Sequence, residues 1–105
     1  MNILSSPGSP SPPLNPMVVA VSMDSINMTW SIPSFYCSMI DYYTVTVNSN
    51  SSYITNTTSI LINGLQQGMN YTFNVKATDS VGREGNNSES VTILMDGEVL
   101  VYTLK

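Results

Sequence analysis

Histidine is absent from the 105-residue sequence, and cysteine occurs once, as Cys37. Without imidazole the chain lacks the usual general base and the commonest metal ligand. Nothing is then at hand to activate the Cys37 thiol or the many serine hydroxyls as nucleophiles. A lone cysteine also forbids an internal disulfide, and Cys37 is expected to be buried and inert, because a free thiol packs as a small hydrophobe. Positive charge is equally scarce: Lys76, Arg83 and Lys105 stand against seven acidic residues, giving a net charge of −4. Three scattered cations cannot neutralise a row of phosphates, so no nucleic acid and no anionic membrane surface is expected as a partner. No apolar run approaches the ~20 residues of a spanning helix, so membrane insertion by this segment is not expected. The start, "MNILSSPGSPSPPLNP", has neither the basic end nor the apolar core of a signal peptide. A secreted parent protein is therefore expected to be longer than this segment.

Seven carboxylates, Asp24, Asp41, Asp79, Glu84, Glu89, Asp96 and Glu98, are scattered singly and show no calcium-loop spacing. There is no convincing helical stripe, and hence no helix for a glycine-rich phosphate cradle to precede. No catalytic residue, metal site or cofactor is expected, and the chain does not read as an enzyme.

What is present is alternation. "SINMTWS" sets Ile26, Met28 and Trp30 on one face and Asn27, Thr29 and Ser31 on the other. "IDYYTVTV" places Tyr43, Val45 and Val47 inside, "YTFNVKA" does the same with Tyr71, Phe73, Val75 and Ala77, and "ESVTIL" with Val91 and Ile93. Period two with β-branched and aromatic residues predicts half-buried antiparallel strands. About seven short strands punctuated by turns imply two sheets closed face to face, an eight-stranded barrel being the less economical arrangement. Residues 1–13 are rich in Pro, Ser and Gly and read as a linker, extended or disordered. Residues 14–95 carry the domain and 96–105 a C-terminal hairpin arm or linker.

The stretch "INGLQQGMNYTFNVKA" is where the chain must cross between sheets. Gly64 and Gly68 permit backbone angles that a side chain resists, and Leu65 turns inward to plug the core. Tyr71 is expected to bury its ring and bond its hydroxyl to main chain between Leu65 and Gly68, the tyrosine corner of Greek-key sandwiches. The expected core is Trp30, Tyr43, Val45, Leu65, Tyr71, Phe73 and Val75.

From about Pro13 to Ile93 the sequence resembles the fibronectin type III family. The resemblance rests on Trp30-Ser31-Ile32-Pro33, on "IDYYTVTV", on "ILINGLQQGMNYTFNVKATD" and on "GREGNNSESVTI", in that order and spacing. Gln67 stands where the family usually has proline before the glycine, and Asn86-Asn87 where prolines are common. The resemblance implies an all-β, immunoglobulin-like seven-stranded antiparallel sandwich, strands A, B and E facing C′, C, F and G, without an inter-sheet disulfide. It also implies a non-catalytic module of a larger extracellular or cell-surface protein, binding a protein partner through loops or a sheet edge in adhesion or reception. A passive spacer, or an accessory to an enzyme, is the alternative.

Phe35 and Tyr36 fall outside the alternation, and they either anchor a partner or cap the end of the core, the second being favoured. Arg83 and Glu84, between two glycines, are further candidates for partner contact, since family members often use this loop. Neither Arg-Gly-Asp nor Trp-Ser-x-Trp-Ser occurs. Five sequons begin at Asn27, Asn50, Asn56, Asn70 and Asn86. They are glycan acceptors if the chain is secreted and polar surface otherwise.

After Asp96-Gly97, a hairpin signal, alternation resumes through "EVLVYTLK". Val99, Val101 and Tyr102 are candidate edge-pairing residues. The segment 98–104 folds back on its own sheet edge, pairs with a second copy as a homodimer, or begins a linker. Deleting residues 97–105 and measuring mass and stability in solution separates these: a monomer of unchanged stability removes both pairing arrangements.

Overall fold

A computed structural model describes residues 8–95. The expected tail contacts of Val99, Val101 and Tyr102 lie outside the described residues. The chain forms β1 (Leu14–Ser22), β2 (Ser25–Ser31), β3 (Ile40–Val47), β4 (Ser51–Thr55), β5 (Ser59–Ile62), β6 (Asn70–Asp79) and β7 (Val91–Leu94). They pair as an antiparallel three-stranded sheet, β1-β2-β5, and an antiparallel four-stranded sheet, β4-β3-β6-β7. This is the sandwich expected from the alternation, with the sheet partition that the family resemblance implies.

Side-chain parity fixes the packing. Ile26, Met28 and Trp30 of β2 and Ile62 of β5 are buried against Tyr43, Val45, Val47, Phe73, Val75 and Ala77 of the opposing sheet. A one-residue slip in any strand would turn its apolar set to solvent, so the core also pins the register. Trp30 is 5% exposed and meets Tyr43 edge to face, ring centroids 5.3 Å apart. Met95, directly after β7, is fully buried as well. Its N–H donates to the Met69 carbonyl, and its own carbonyl accepts from the Gly68 N–H, so the end of β7 is fastened to the β5–β6 crossing.

That crossing closes one end of the sandwich. Gly64 and Gly68 have φ of 78° and 82°, the left-handed region open to glycine. Leu65 is buried and its N–H reaches the Asp24 carbonyl in the β1–β2 turn. The Tyr71 hydroxyl accepts a 2.8 Å hydrogen bond from the Gln66 N–H, inside the segment where the corner was expected.

The N-terminal segment departs from the linker expectation within the described part. Pro10 and Pro13 are buried, and the Ser11 N–H donates to the Phe35 carbonyl at 2.9 Å. A Cβ at Gly85 would overlap the Pro10 carbonyl, so this glycine is what lets the segment lie against the β6–β7 loop. Proline gives no backbone donor, yet its ring is apolar and packs once a neighbour takes up the adjacent serine. β1 itself starts unevenly: the register shifts between Leu14 and Met17, around Asn15 (φ 52°) and Pro16, whose missing N–H cannot join the ladder.

Two substitutions test this frame by urea denaturation. Trp30→Ala should cost about 3–5 kcal/mol, comparable to the stability of a modest domain. Tyr71→Phe, which removes only the corner oxygen, should cost about 1 kcal/mol, and an unchanged midpoint would remove the corner from the account.

Candidate functional site

At the end of the sandwich away from the corner, three segments meet: the β2–β3 loop (32–39), the β4–β5 loop (56–58) and the β6–β7 loop (80–90). The polar anchors come first. Asp79, the last residue of β6, has a fully buried side chain. Its carboxylate accepts from the Val81 and Arg83 backbone N–H groups at 3.1 and 2.9 Å and from Arg83 Nε at 2.9 Å. Burial by itself raises the Asp79 carboxyl, but the Arg83 N–H and guanidinium and the Val81 N–H outweigh it and hold the group below its ordinary value. Arg83 Nη2 continues to Ser38 Oγ at 2.9 Å, tying the β6–β7 loop to the β2–β3 loop. Ser11 Oγ accepts the Phe35 N–H at 3.0 Å and fixes the other side of the β2–β3 loop.

The two charges expected to face a partner are thus engaged within the molecule. Arg83 bonds Asp79 and Ser38, and Glu84 forms a 2.8 Å ion pair with Lys76 on β6. That pair is partly solvated and contributes little to stability.

With its backbone anchored, the β2–β3 loop turns apolar side chains outward. Phe35 is 52% exposed, Tyr36 43% and Met39 74%. The capping role favoured for Phe35 and Tyr36 is therefore not what the structure shows, and neither is among the side chains packed against the core. Cys37, expected to be buried, is exposed in the same loop. The strand alternation stops at Ser31, so nothing in the pattern governs which loop residues turn inward.

Tyr36, Met39, Ile32 and Ile40 line a shallow groove of about 240 Å³ with Tyr43 beneath and Asn56 and Thr58 opposite. Burial raises the Tyr43 phenol above its ordinary value, and Tyr36 adds to the effect, so Tyr43 stays neutral at physiological pH. The groove therefore offers an apolar bed with phenol and amide groups, a surface suited to another protein's side chain and without charge selection.

Sequence reasoning found Phe35 and Tyr36 but missed Ile32, Met39 and Thr58, which are ordinary in sequence and gain meaning from the adjacency of two loops. Asn56 was singled out as a sequon only, and it stands at the groove's rim. The other sequons are dispersed: Asn50 lies in the β3–β4 turn near the corner, Asn70 opens β6, Asn86 is exposed in the β6–β7 loop, and Asn27 is on the outer face of β2. Among the described residues, no group of three His, Cys, Asp or Glu gathers in a metal-binding arrangement. Among the described residues, no helix is long and apolar enough to cross a membrane.

The two-sheet topology with its loop cluster defines a β-sandwich module of the immunoglobulin-like type. The profile of the fibronectin type III domain matches residues 11–93, and the chain belongs to that family. Such domains are typically non-catalytic modules of multidomain proteins. Among solved structures, the C. elegans twitchin kinase region superposes with a TM-score of 0.76 at 22% identity, over 86% of this chain and 17% of that one. The sixth fibronectin type III domain of human fibronectin type III domain containing protein 3 gives 0.73 at 24% identity, over 88% of this chain and 91% of that one. Domains d3–d4 of the rat CD45 extracellular region give 0.70 at 18% identity, over 81% and 50%. No curated relative matches the sequence.

Asp79 supplies a pH prediction. Its folded value lies below the unfolded one, so its stabilising effect is present in full above pH ~4 and is lost as pH falls through the lowered value. Asp79→Asn should lower the urea midpoint at neutral pH, and the gap to the native chain should close in acid. A gap that is constant with pH would show that the buried carboxylate is not the cause.

Proposed function

We propose that this domain is a protein-interaction module of an adhesion or receptor-type protein, working outside the cell or at its surface within a larger chain. The groove and aromatic rim at the β2–β3 loop are its contact surface. The observation that carries this reading is the pairing of a pinned backbone with outward apolar side chains. Phe35, Tyr36 and Met39 are exposed although Ser11 and Arg83 hold their loop in place. Aromatic groups presented on a loop that needs little further ordering bind at low entropic cost. The similarity to an extracellular region of rat CD45 is in keeping with this setting.

The internal use of Arg83 and Glu84 favours a second reading, a passive spacer that offers its loop to nothing. A tetramerised domain screened against a panel of extracellular proteins distinguishes the two. As an interaction module it captures a partner, and Phe35→Ala combined with Tyr36→Ala weakens that capture by about tenfold or more, as hot-spot truncation does. Indifference of every panel member, or equal capture by the variant, supports the spacer.

A further inference from the structure

The outermost strands of an open sheet carry unpaired N–H and C=O groups, which invite another chain unless they are guarded. Among the described residues the edge strands are β1 and β5 of one sheet and β4 and β7 of the other. β1 and β7 lie beside each other, and β1 carries Pro16 and register shifts near both its ends. On β5 the Thr58 carbonyl accepts from the Trp30 N–H of β2, so the Ser59 carbonyl turns to the open side. There Thr57 Oγ1 donates to it at 2.9 Å.

β4 has none of these guards. It contains no proline and pairs with β3 without a register shift. Residues 42–75, which include it, hold no charged side chain. The Val47 carbonyl accepts the Asn50 N–H, while the next N–H, that of Asn48, donates to the Thr72 carbonyl of β6. Odd-numbered residues of β3 therefore bond to β4 and even-numbered ones to β6, and in β4 Ser52 and Ile54 point N–H and C=O away from the sheet. Those groups meet no described residue. The inner side is open as well. Tyr53 lies opposite the fully buried Val45 and faces inward with it, yet it is 37% exposed. With Val47, Leu65 and Tyr71 it lines a groove of about 270 Å³.

We propose that β4 is a pairing edge for a second copy of this chain, joined antiparallel about a two-fold axis at Tyr53. In that register Ser52 of each copy stands opposite Ile54 of the other, and the outward N–H and C=O groups of all four residues satisfy one another. A register shifted by one residue would set them against groups that β3 already uses. The two Tyr53 side chains form a directly opposed pair without hydrogen bonds, the closer kind, and aromatic pairs stabilise such positions. Each ring then lies at the mouth of the other copy's groove. The contact is isologous, and two four-stranded sheets become one of eight. Each copy carries a net charge of −4, and the uncharged stretch around β4 lets two copies meet there without opposing carboxylates. Backbone pairing of this kind does not depend on the extracellular setting proposed above.

Sedimentation equilibrium of the 105-residue chain, from micromolar to millimolar concentration, reads the pairing. The native chain should pass from monomer to dimer. Ser52 and Ile54 are exposed, so replacing them leaves the core intact. Ser52→Lys with Ile54→Lys sets lysine against lysine across the axis and should raise the dissociation constant about tenfold or more, although it reduces the net negative charge. Ser52→Lys with Ile54→Glu sets lysine against glutamate in the same register and should restore the dimer. Deleting residues 97–105 should leave the dimer in place, which separates this contact from pairing through the tail. A native chain that stays monomeric throughout overturns the proposal, as does a dimer indifferent to the two lysines or one lost with residues 97–105. Failure of the lysine–glutamate variant to pair overturns the register at Tyr53.

Discussion

Two inner faces, each made by alternation along its strands, can lose their apolar surface only by closing on one another. Trp30 and Met28 from one sheet meet Tyr43, Val45, Phe73 and Val75 from the other, and these contacts decide strand register, sheet pairing and which residues are left outside. The structure needs no disulfide because burial of this core does the joining. The corner between β5 and β6 and the fastening of Met95 seal one rim, where the chain passes from the first sheet to the second.

The opposite rim is held by polar contacts. One buried carboxylate gathers two backbone N–H groups and a guanidinium, and that guanidinium reaches across to the neighbouring loop. Loops fixed in this way can carry exposed aromatic side chains without collapsing onto the core. This is the division of labour expected when a rigid sandwich supports variable recognition at its ends. Charge is used for internal positioning, and the surface offered outward is apolar with phenol and amide groups at its edge.

The two broad outer faces both mix polar and apolar residues. The four-stranded sheet turns outward the hydrogen-bonded Thr72, Thr92 and Asn74 together with exposed Ile54 and Leu94. The three-stranded sheet turns outward Met17, Val19 and Leu61, with Asn27 and Thr29 of the central strand between its outer strands. Sheets of this type may be greasy on one side only if the other is solvated or covered, since an antiparallel sheet tolerates water on one face.

Period-two alternation, the two glycines of the crossing and the spacing of Trp30 and Tyr71 were legible in the residues, because strand parity and left-handed backbone angles are local properties of the chain. They determined an all-β sandwich, its inside-facing set, and the corner with its hydroxyl bond. Tertiary structure alone decided the fate of residues outside the alternation. Cys37 and Tyr36 turn outward because the core is full before the loop begins. Pro10 and Pro13 dock because Gly85 leaves room for them, and Arg83 turns inward because β6 ends in a buried Asp79. Each of these depends on what a distant segment brings alongside, and adjacency between segments far apart in sequence has no period for a single chain to display.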